Sequence, residues 1–454
     1  MSLSGTVSHS PMPERPQRRR RFALDSLQVF SGEMAMMAIG MVNGVITARC
    51  LGPSGRGSFQ LLVLLPIMLS NFVKLGIPQA SVFYMRRRGA SASDVASNSI
   101  WFAFVMGGAA VLVCWFERDW LLTKFLKEIP PLLLLPSLVL IPFVLLQFYL
   151  LGVAQAQERF REYNIRQLVP NTLSLIGLST TLILFHMGLV GAILVQVSIV
   201  IMMTVWMTWR VHREAPLHLR WNPSLARGML AFGSKSYVQT LAATLHLRLD
   251  QFLCAYFLAP ADVGLYAVAV NFGTLLDKIG EAAGTVMFPR LAGSSDHDAH
   301  AATTRVCRHT LFVLALGGTA FAIGAPIVVP VLYGSRFQGA VAPLLILLPG
   351  MLGAALYQLL TRNFTSRGRQ EINIVAALLA LSLNVGLNWV LIPRWGISGA
   401  ALSHDLSYGA AALLLLVAFV WESGHSVRDT LIVRGNEIGD LARTAKRLAG
   451  RTAA

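Results

Sequence analysis

Charged residues are scarce in this chain of 454 residues. Asp, Glu, Lys and Arg make up 13% of it, whereas soluble proteins carry about a quarter. Hydrophobic residues make up 55%, and the mean hydropathy is +0.59. A water-soluble fold of this length has too little interior to hold so much apolar surface. The composition therefore excludes an ordinary soluble protein and indicates an integral membrane protein.

Cysteine and the signatures of enzymes are also sparse. The four cysteines are spread singly, without a CxxC pair, and are predicted to be small buried hydrophobic residues. The sequence has no phosphate-binding glycine loop, HExxH, GxSxG or metal-spaced His/Cys cluster. The longest predicted outer loop, near 117–130, is too short for a catalytic domain. We therefore predict no enzymatic activity, no catalytic residue and no metal site.

Twelve segments are long and apolar enough to cross a bilayer, which takes roughly 20 residues. The first six lie near 24–48, 59–85, 95–116, 131–151, 165–186 and 189–209. The second six lie near 229–258, 262–289, 306–332, 338–361, 371–392 and 397–421. We accordingly divide the chain into a disordered basic N-terminus (1–23), a first half (24–209), a linker (210–228), a second half (229–421) and a basic tail (422–454). The tail has helical apolar spacing, which suits either a helix on the membrane face or a solvated segment.

The distribution of positive charge predicts the orientation. Most of the 38 Lys and Arg residues fall in the N-terminus, the tail and alternate loops, as in the runs Arg18–Arg21 and Arg86–Arg88. Cytoplasmic loops of membrane proteins carry such an excess. Both termini are therefore predicted to be cytoplasmic, and the net charge of +16 gives no reason to expect nucleic-acid binding.

The two halves repeat one another. ARCLGPSGRGSF at 48–59 matches AYFLAPADVGLY at 255–266 at an offset of 207, which aligns Pro53 with Pro260 and Gly57 with Gly264. EYNI at 162–165 matches EINI at 371–374, and GLVGAIL at 188–194 matches GISGAAL at 396–402. Because six segments separate the copies, the repeat is parallel, with an axis along the membrane normal. The predicted fold is therefore all-α, with about twelve transmembrane helices in two six-helix halves around a central cavity.

Ionisable side chains inside the segments are the candidate functional residues, because such groups are costly in lipid and normally face a protein interior or a watery cavity. Most lie in segments 1, 2, 7 and 8, which suggests a cavity between the halves. Lysine and arginine suit an anion such as a diphosphate, whereas carboxylates suit a coupling cation or charge neutralisation. The cationic candidates are Lys74, Lys235, Arg248 and Lys278, and the acidic candidates are Glu33, Asp250, Asp277, Glu281 and Asp405.

Simpler roles compete with these for some residues. Lys235 lies close enough to a segment end to snorkel to the membrane surface. Glu33 and Asp405 could each pair with a neighbour and serve packing alone. Lys74, Arg248 and the group from Asp277 to Glu281 are harder to explain in that way.

Four motifs resemble those of bacterial polysaccharide exporters: ARCLGPSGRGSF (48–59), RLDQFLCAYFLAPADVGLYAVAV (248–270), VLYGSRFQGAVAPLLILLPG (331–350) and LNVGLNWVLIPRWGISGAAL (383–402). The chain is similar, over nearly all of 24–421, to the flippases of the multidrug/oligosaccharidyl-lipid/polysaccharide (MOP) exporter superfamily. The resemblance implies alternating access that carries an undecaprenyl-diphosphate-linked oligosaccharide across the bacterial inner membrane, for O-antigen, capsule or exopolysaccharide synthesis.

The same resemblance implies the partners. They are the lipid-linked oligosaccharide, membrane lipids and a glycan polymerase machinery. It also implies that Lys74, Arg248 and Lys278 line the cavity. No cofactor is expected apart from a coupling Na⁺ or H⁺. The alternatives are a multidrug or cation antiporter of the same superfamily and, from a different class, a membrane glycan polymerase or ligase.

Overall fold

The computed structural model describes residues 16–157, 160–246, 249–292, 294–435, 437 and 439. Within these ranges the chain is helical, with no strand. The α-helices, in chain order, are α1 (Pro16–Val73), α2 (Ile77–Arg87), α3 (Ala92–Phe116), α4 (Arg118–Lys124), α5 (Leu134–Ala156), α6 (Phe160–Leu178), α7 (Gly188–Glu214), α8 (Pro223–His246), α9 (Leu249–Phe257), α10 (Pro260–Ala292), α11 (Asp296–Tyr333), α12 (Val341–Ser366), α13 (Gln370–Ser423) and α14 (Val427–Leu431). Short 3₁₀ turns at Pro131–Leu133 and Ser335–Ala340 precede α5 and α12, and a π-helical turn at Ser179–Leu184 follows α6.

Two of the long helices are each a pair of helices joined at one glycine. Gly52 in α1 has φ 68° and ψ −178°, and Gly396 in α13 has φ 58° and ψ −138°. Both conformations strain any residue with a Cβ atom, so glycine is required there. Gly188, which aligns with Gly396 in the repeat, has the same φ of 58°. The match of 188–194 with 396–402 therefore places a glycine of positive φ at the same position in both halves.

The helices have the length and apolar surface of membrane spans. Seven described stretches qualify by length and composition: Met36–Val73, Ala92–Phe116, Pro131–Ala156, Gly188–Glu214, Asp296–Tyr333, Ser335–Ser366 and Gln370–Ser423. Large apolar side chains such as Phe116, Ile323 and Trp421 are exposed, as expected of a surface that faces lipid. The all-α, multi-pass membrane fold is thus confirmed, and the number of twelve crossings stays a prediction.

The ends of the chain differ from the expected boundaries. Helix α1 begins at Pro16, inside the stretch 1–23 for which disorder was expected. Proline suits the first turn of a helix, and the arginines that follow are good helix formers. In the tail, α14 covers Val427–Leu431, and the amphipathic stretch predicted beyond it lies outside the described residues.

The second predicted segment is broken in its inner part. Helix α1 ends at Val73 and α2 begins at Ile77, with Gly76 in a left-handed conformation between them. A Cβ atom at Gly76 would lie 2.3 Å from the carbonyl oxygen of Gly233 in α8, and one at Gly233 would lie 2.4 Å from the carbonyl oxygen of Leu75. The break therefore lets two backbones from different halves meet, which only glycine allows.

The first match in the repeat is also a contact between the halves. A Cβ atom at Gly57 would lie 1.7 Å from the Pro260 carbonyl oxygen, and one at Gly264 would lie 2.2 Å from the Pro53 carbonyl oxygen. Each copy of the motif thus packs against the other, as a pseudo-two-fold axis requires. We call the end of the bundle that contains these residues the Gly52 end. Buried apolar residues of both halves form one continuous core, in which Phe59 and Tyr266 are aligned members.

Candidate functional site: an acidic cavity in the second half

An acidic cavity of about 330 Å³ lies among four segments of the second half. Helix α9 contributes Asp250, α12 contributes an apolar wall, and α13 contributes His404 and Tyr408. Helix α10 contributes more of the lining residues than any other helix. The complete lining is Asp250, Val270, Thr274, Asp277, Lys278, Glu281, Leu347, Met351, Ala354, His404 and Tyr408.

The charges of α10 face this cavity because they lie three and four residues apart on one side of a helix. Lys278 Nζ forms an ion pair with Glu281 Oε2. Asp277 Oδ1 accepts a hydrogen bond of 2.6 Å from Gln358 Nε2 of α12. The predicted group from Asp277 to Glu281 therefore forms one site.

Asp250 is the most buried acid of the cavity, with 3% of its surface exposed. Its Oδ2 accepts a hydrogen bond of 2.6 Å from the Tyr266 hydroxyl, and its Oδ1 accepts one of 2.8 Å from the backbone N–H of Gln251. Two donors hold this carboxylate in place, which offsets part of the cost of burying it. The sequence singled out Asp250 but gave no sign of Tyr266 as its partner.

The formal charge of the lining favours a cation. Three carboxylates and one ammonium group face the cavity, and His404 adds a group that can take up a proton. Within the described ranges, no three His, Cys, Asp or Glu side chains lie close enough together to hold a metal ion. The excess of negative charge therefore favours a cation over an anion in this cavity.

Asp405 lies next to His404 and binds the backbone of α12. Its Oδ2 accepts a hydrogen bond of 3.0 Å from the Gly350 amide, which directly follows Pro349. A Cβ atom at Gly350 would lie 1.8 Å from Asp405 Oδ1. Proline removes one helical hydrogen bond, and here a carboxylate of α13 packs against the backbone directly after the proline. Asp405 thus ties two helices behind the cavity.

Lys74 lies in the first half, away from the acidic cavity. It follows directly after Val73, at the carbonyl end of a helix, where a cation is favourable. Only 9% of its surface is exposed. Its Nζ donates a 2.6 Å hydrogen bond to Asn71 Oδ1 and lies 5.1 Å from the centre of the Phe148 ring. Its close partners are therefore neutral.

A second cavity of about 330 Å³ lies beside Lys74, within the first half. Phe148 lines it together with the neutral polar side chains of Gln147, Asn171 and Gln196, and the remaining wall is apolar. Each of these two cavities is lined by residues of one half, and the charged lining belongs to the second half. A charged cavity between the halves stays a prediction.

The remaining predicted residues cannot be placed in either cavity. Arg248 lies outside the described residues, and so does its neighbour at 247. Lys235 lies in α8 and Glu33 in α1, but the structure describes neither side chain. Their predicted roles stay predictions.

The comparisons with known proteins agree with this architecture. A lipid II flippase, MurJ, in an inward closed conformation, matches with a TM-score of 0.75 at 13% identity over 89% of each chain. An inward-facing multidrug resistance transporter of the MATE family matches with a TM-score of 0.69 at 13% identity, over 85% of this chain and 93% of that one. A MOP superfamily transporter from Pyrococcus furiosus matches with a TM-score of 0.60 at 12% identity, over 88% and 94% of the two chains.

These likenesses define the class: a multi-pass membrane protein with the fold of the MOP transporters. A search among curated proteins finds no match. The model of the polysaccharide biosynthesis protein family matches residues 46–342, well over half of the chain. The chain belongs to that family.

Proposed function

We propose that the protein carries a lipid-linked oligosaccharide across the bacterial inner membrane for polysaccharide synthesis. The observation that carries this proposal is the family match over residues 46–342 on a fold shared with a flippase. The lipid would stay in the bilayer while alternating access moves the glycan and its diphosphate. Undecaprenyl diphosphate as the carrier, cytoplasmic termini and a polymerase machinery as partner belong to the same proposal.

The acidic cavity would hold the coupling ion, Na⁺ or H⁺. Asp250, Asp277 and Glu281 supply negative charge in a space of about 330 Å³, and Lys278 offsets one of their three charges, which leaves an excess that attracts a cation. In a partly buried site, carboxylates attract a cation by several kcal/mol. Glu33 and Asp405 would balance charge outside this cavity.

Lys74 would act on the substrate, together with Arg248 and Lys235. A buried lysine with neutral partners keeps an uncompensated charge, which a diphosphate could satisfy when the substrate enters. Lys278 has a weaker claim to this role, since its ammonium group already pairs with Glu281.

The test is export in cells that lack the native gene. Lys74→Met should abolish surface glycan and leave lipid-linked units on the inner leaflet, with normal amounts of protein in the membrane. As a matched control, Lys124→Met removes an exposed lysine of α4 and should export normally. Normal export by Lys74→Met would count against this role of Lys74.

A multidrug or cation antiporter is the second candidate, and the acidic cavity is the observation that favours it. A cationic drug fits carboxylates better than a diphosphate does. Overexpression would then raise resistance to cationic drugs, and loss of the gene would leave surface glycan unchanged. A membrane glycan polymerase or ligase would instead lose chain elongation while export of single units continues.

A further inference from the structure

Three cations at the Gly52 end lie on the first half and reach toward the second. They are Arg49 and Arg56 in α1 and Lys127 in the connection after α4. In the predicted orientation this end is the outer one, where lysine and arginine are less common. The excess of lysine and arginine on the cytoplasmic side of membrane proteins therefore does not explain these three cations.

Arg49 caps the end of α11. Its Nε donates a 2.7 Å hydrogen bond to the Leu332 carbonyl oxygen, and its Nη2 donates one to the Val331 carbonyl oxygen. Helix α11 ends at Tyr333, so these carbonyls lack partners within the helix. A cation at this end also interacts well with the helix dipole.

Lys127 makes the equivalent contact with α9. Its Nζ donates hydrogen bonds of 2.7 Å to the Tyr256 carbonyl oxygen and 3.3 Å to that of Leu258, where α9 ends. At the repeat offset of 207, Arg49 aligns with Tyr256, and Lys127 aligns with Gly334, just beyond the carbonyls that Arg49 binds. The two contacts are therefore related by the pseudo-two-fold axis.

Arg56 is the third cation and is buried, with 7% of its surface exposed. Its Nε has no hydrogen-bond partner among the described residues. The Phe59 ring lies 5.9 Å from its guanidinium carbon. Arg56 thus adds a buried positive charge at the Gly52 end.

The hydrogen bonds of Arg49 and Lys127 would break if the halves separated at the Gly52 end. The bound carbonyls belong to the second half, so separation would leave the cations on the first half without them. Carbonyl oxygens are neutral, whereas a phosphate oxygen gives a cation a stronger, charge-assisted hydrogen bond. An anion that leaves through this end would therefore find the cations newly available.

We propose that Arg49, Arg56 and Lys127 form an exit site for the diphosphate of the substrate, in which helix-end carbonyls mask Arg49 and Lys127 while the Gly52 end is closed. The proposal rests on the proposed function for the identity of the anion. Binding of phosphate oxygens stabilises the open state, because it replaces the hydrogen bonds lost on opening. Arg49 and Lys127 thus hold the end closed, and all three cations receive the departing substrate.

The test uses the full chain in lipid nanodiscs, with inorganic pyrophosphate as the probe. Gly57→Ala prevents closure, because its Cβ atom would lie 1.7 Å from the Pro260 carbonyl oxygen. We expect this variant to bind pyrophosphate at least tenfold more tightly than the native chain. Adding Arg49→Gln and Lys127→Gln should abolish the gain.

Two further variants make the result decisive. Gly264→Ala opens the same contact from the other half, and serves if Gly57→Ala does not fold. Gly40→Ala is the matched control, since nothing lies within 4 Å of its added Cβ atom, and it should bind as the native chain does. Equal binding by the native chain and both opened variants would overturn the proposal. So would a gain that survives loss of Arg49 and Lys127.

The export assay separates this result from the proposed function. If native cells export glycan but the opened variants gain no pyrophosphate binding, the exit site is refuted and the function stands. If the gain appears and depends on the two cations while loss of the gene leaves export intact, the anion site stands and the identity of its ligand is refuted.

Discussion

The structure specifies one prediction most closely: removing a negative charge and removing a positive charge from the acidic cavity should have opposite effects on its affinity for a cation. Asp277→Asn removes one of three negative charges from the lining, and Lys278→Met removes the positive one. Asparagine is similar in size to aspartate and can still bind Gln358, so the shape of the cavity should change little. The two variants should shift the affinity for a monovalent cation in opposite directions.

The magnitude follows from Coulomb's law. For unit charges about 6 Å apart at an effective dielectric constant of about 20, the interaction is about 3 kcal/mol. Since about 1.4 kcal/mol corresponds to a factor of ten in affinity, Asp277→Asn should weaken Na⁺ binding about 100-fold. Lys278→Met should strengthen it, because Glu281 loses its partner and becomes available to the ion.

The assay is calorimetric titration of the purified protein with Na⁺ in nanodiscs. Asp119→Asn is the control, because that carboxylate lies outside the cavity with 88% of its side chain exposed, and it should bind Na⁺ as the native chain does. Weaker binding in Lys278→Met, or unchanged binding in Asp277→Asn, would refute the assignment of the cavity as a cation site.

Three further predictions concern other parts of the molecule. Gly233→Ala should lower the melting temperature or abolish folding, since overpacking of this kind costs about 1–3 kcal/mol or more. Gly40→Ala should leave the melting temperature unchanged, and equal thermal stability of the two variants would contradict the contact. Lys74→Met should abolish export but keep the fold, as measured by surface glycan and size-exclusion profile. The hydrogen bond from Arg308 lowers the pKa of Glu437 below its ordinary 4.5, so this link contributes stability above pH 4.5 and loses it as the pH falls through the lowered pKa. Protection factors of the α14 amides, which correct for the intrinsic pH dependence of exchange, should therefore fall only in acid beyond that point, and a loss of protection already near neutral pH would contradict it.

The helices were predictable because apolar runs of about 20 residues have few alternatives to spanning a membrane. The repeat was predictable too, and its conserved spacing has physical meaning. Gly57 and Gly264 are alike because each packs against the backbone of the other copy. Gly188 and Gly396 are alike because the same positive φ joins two helices in each half.

The break at Lys74 was not predicted, because hydropathy does not register a backbone interruption within an apolar run. A signal existed in Gly76 and Pro78, since glycine and proline two residues apart often mark a break. Only the structure shows why the break is tolerated: the opposing Gly233 leaves space for the exposed backbone.

The composition of the cavity was predictable in part. Asp277, Lys278 and Glu281 were grouped correctly by helical spacing. Lys74 does not line this cavity, because alignment of the repeats gives equivalent positions but not the direction in which a side chain points. Arg49 and Lys127 were missed, since their carbonyl partners belong to the backbone and leave no trace in the sequence.

The most direct test of the proposed function is the sidedness of the lipid-linked oligosaccharide in spheroplasts. An impermeant glycan-binding probe would be applied to cells with and without the gene, and the labelled lipid would be measured. Export by this protein predicts labelling in native cells and loss of it in the deletion strain, where the lipid-linked unit accumulates out of reach of the probe. Equal labelling in the two strains, with no other exporter present, would contradict the account.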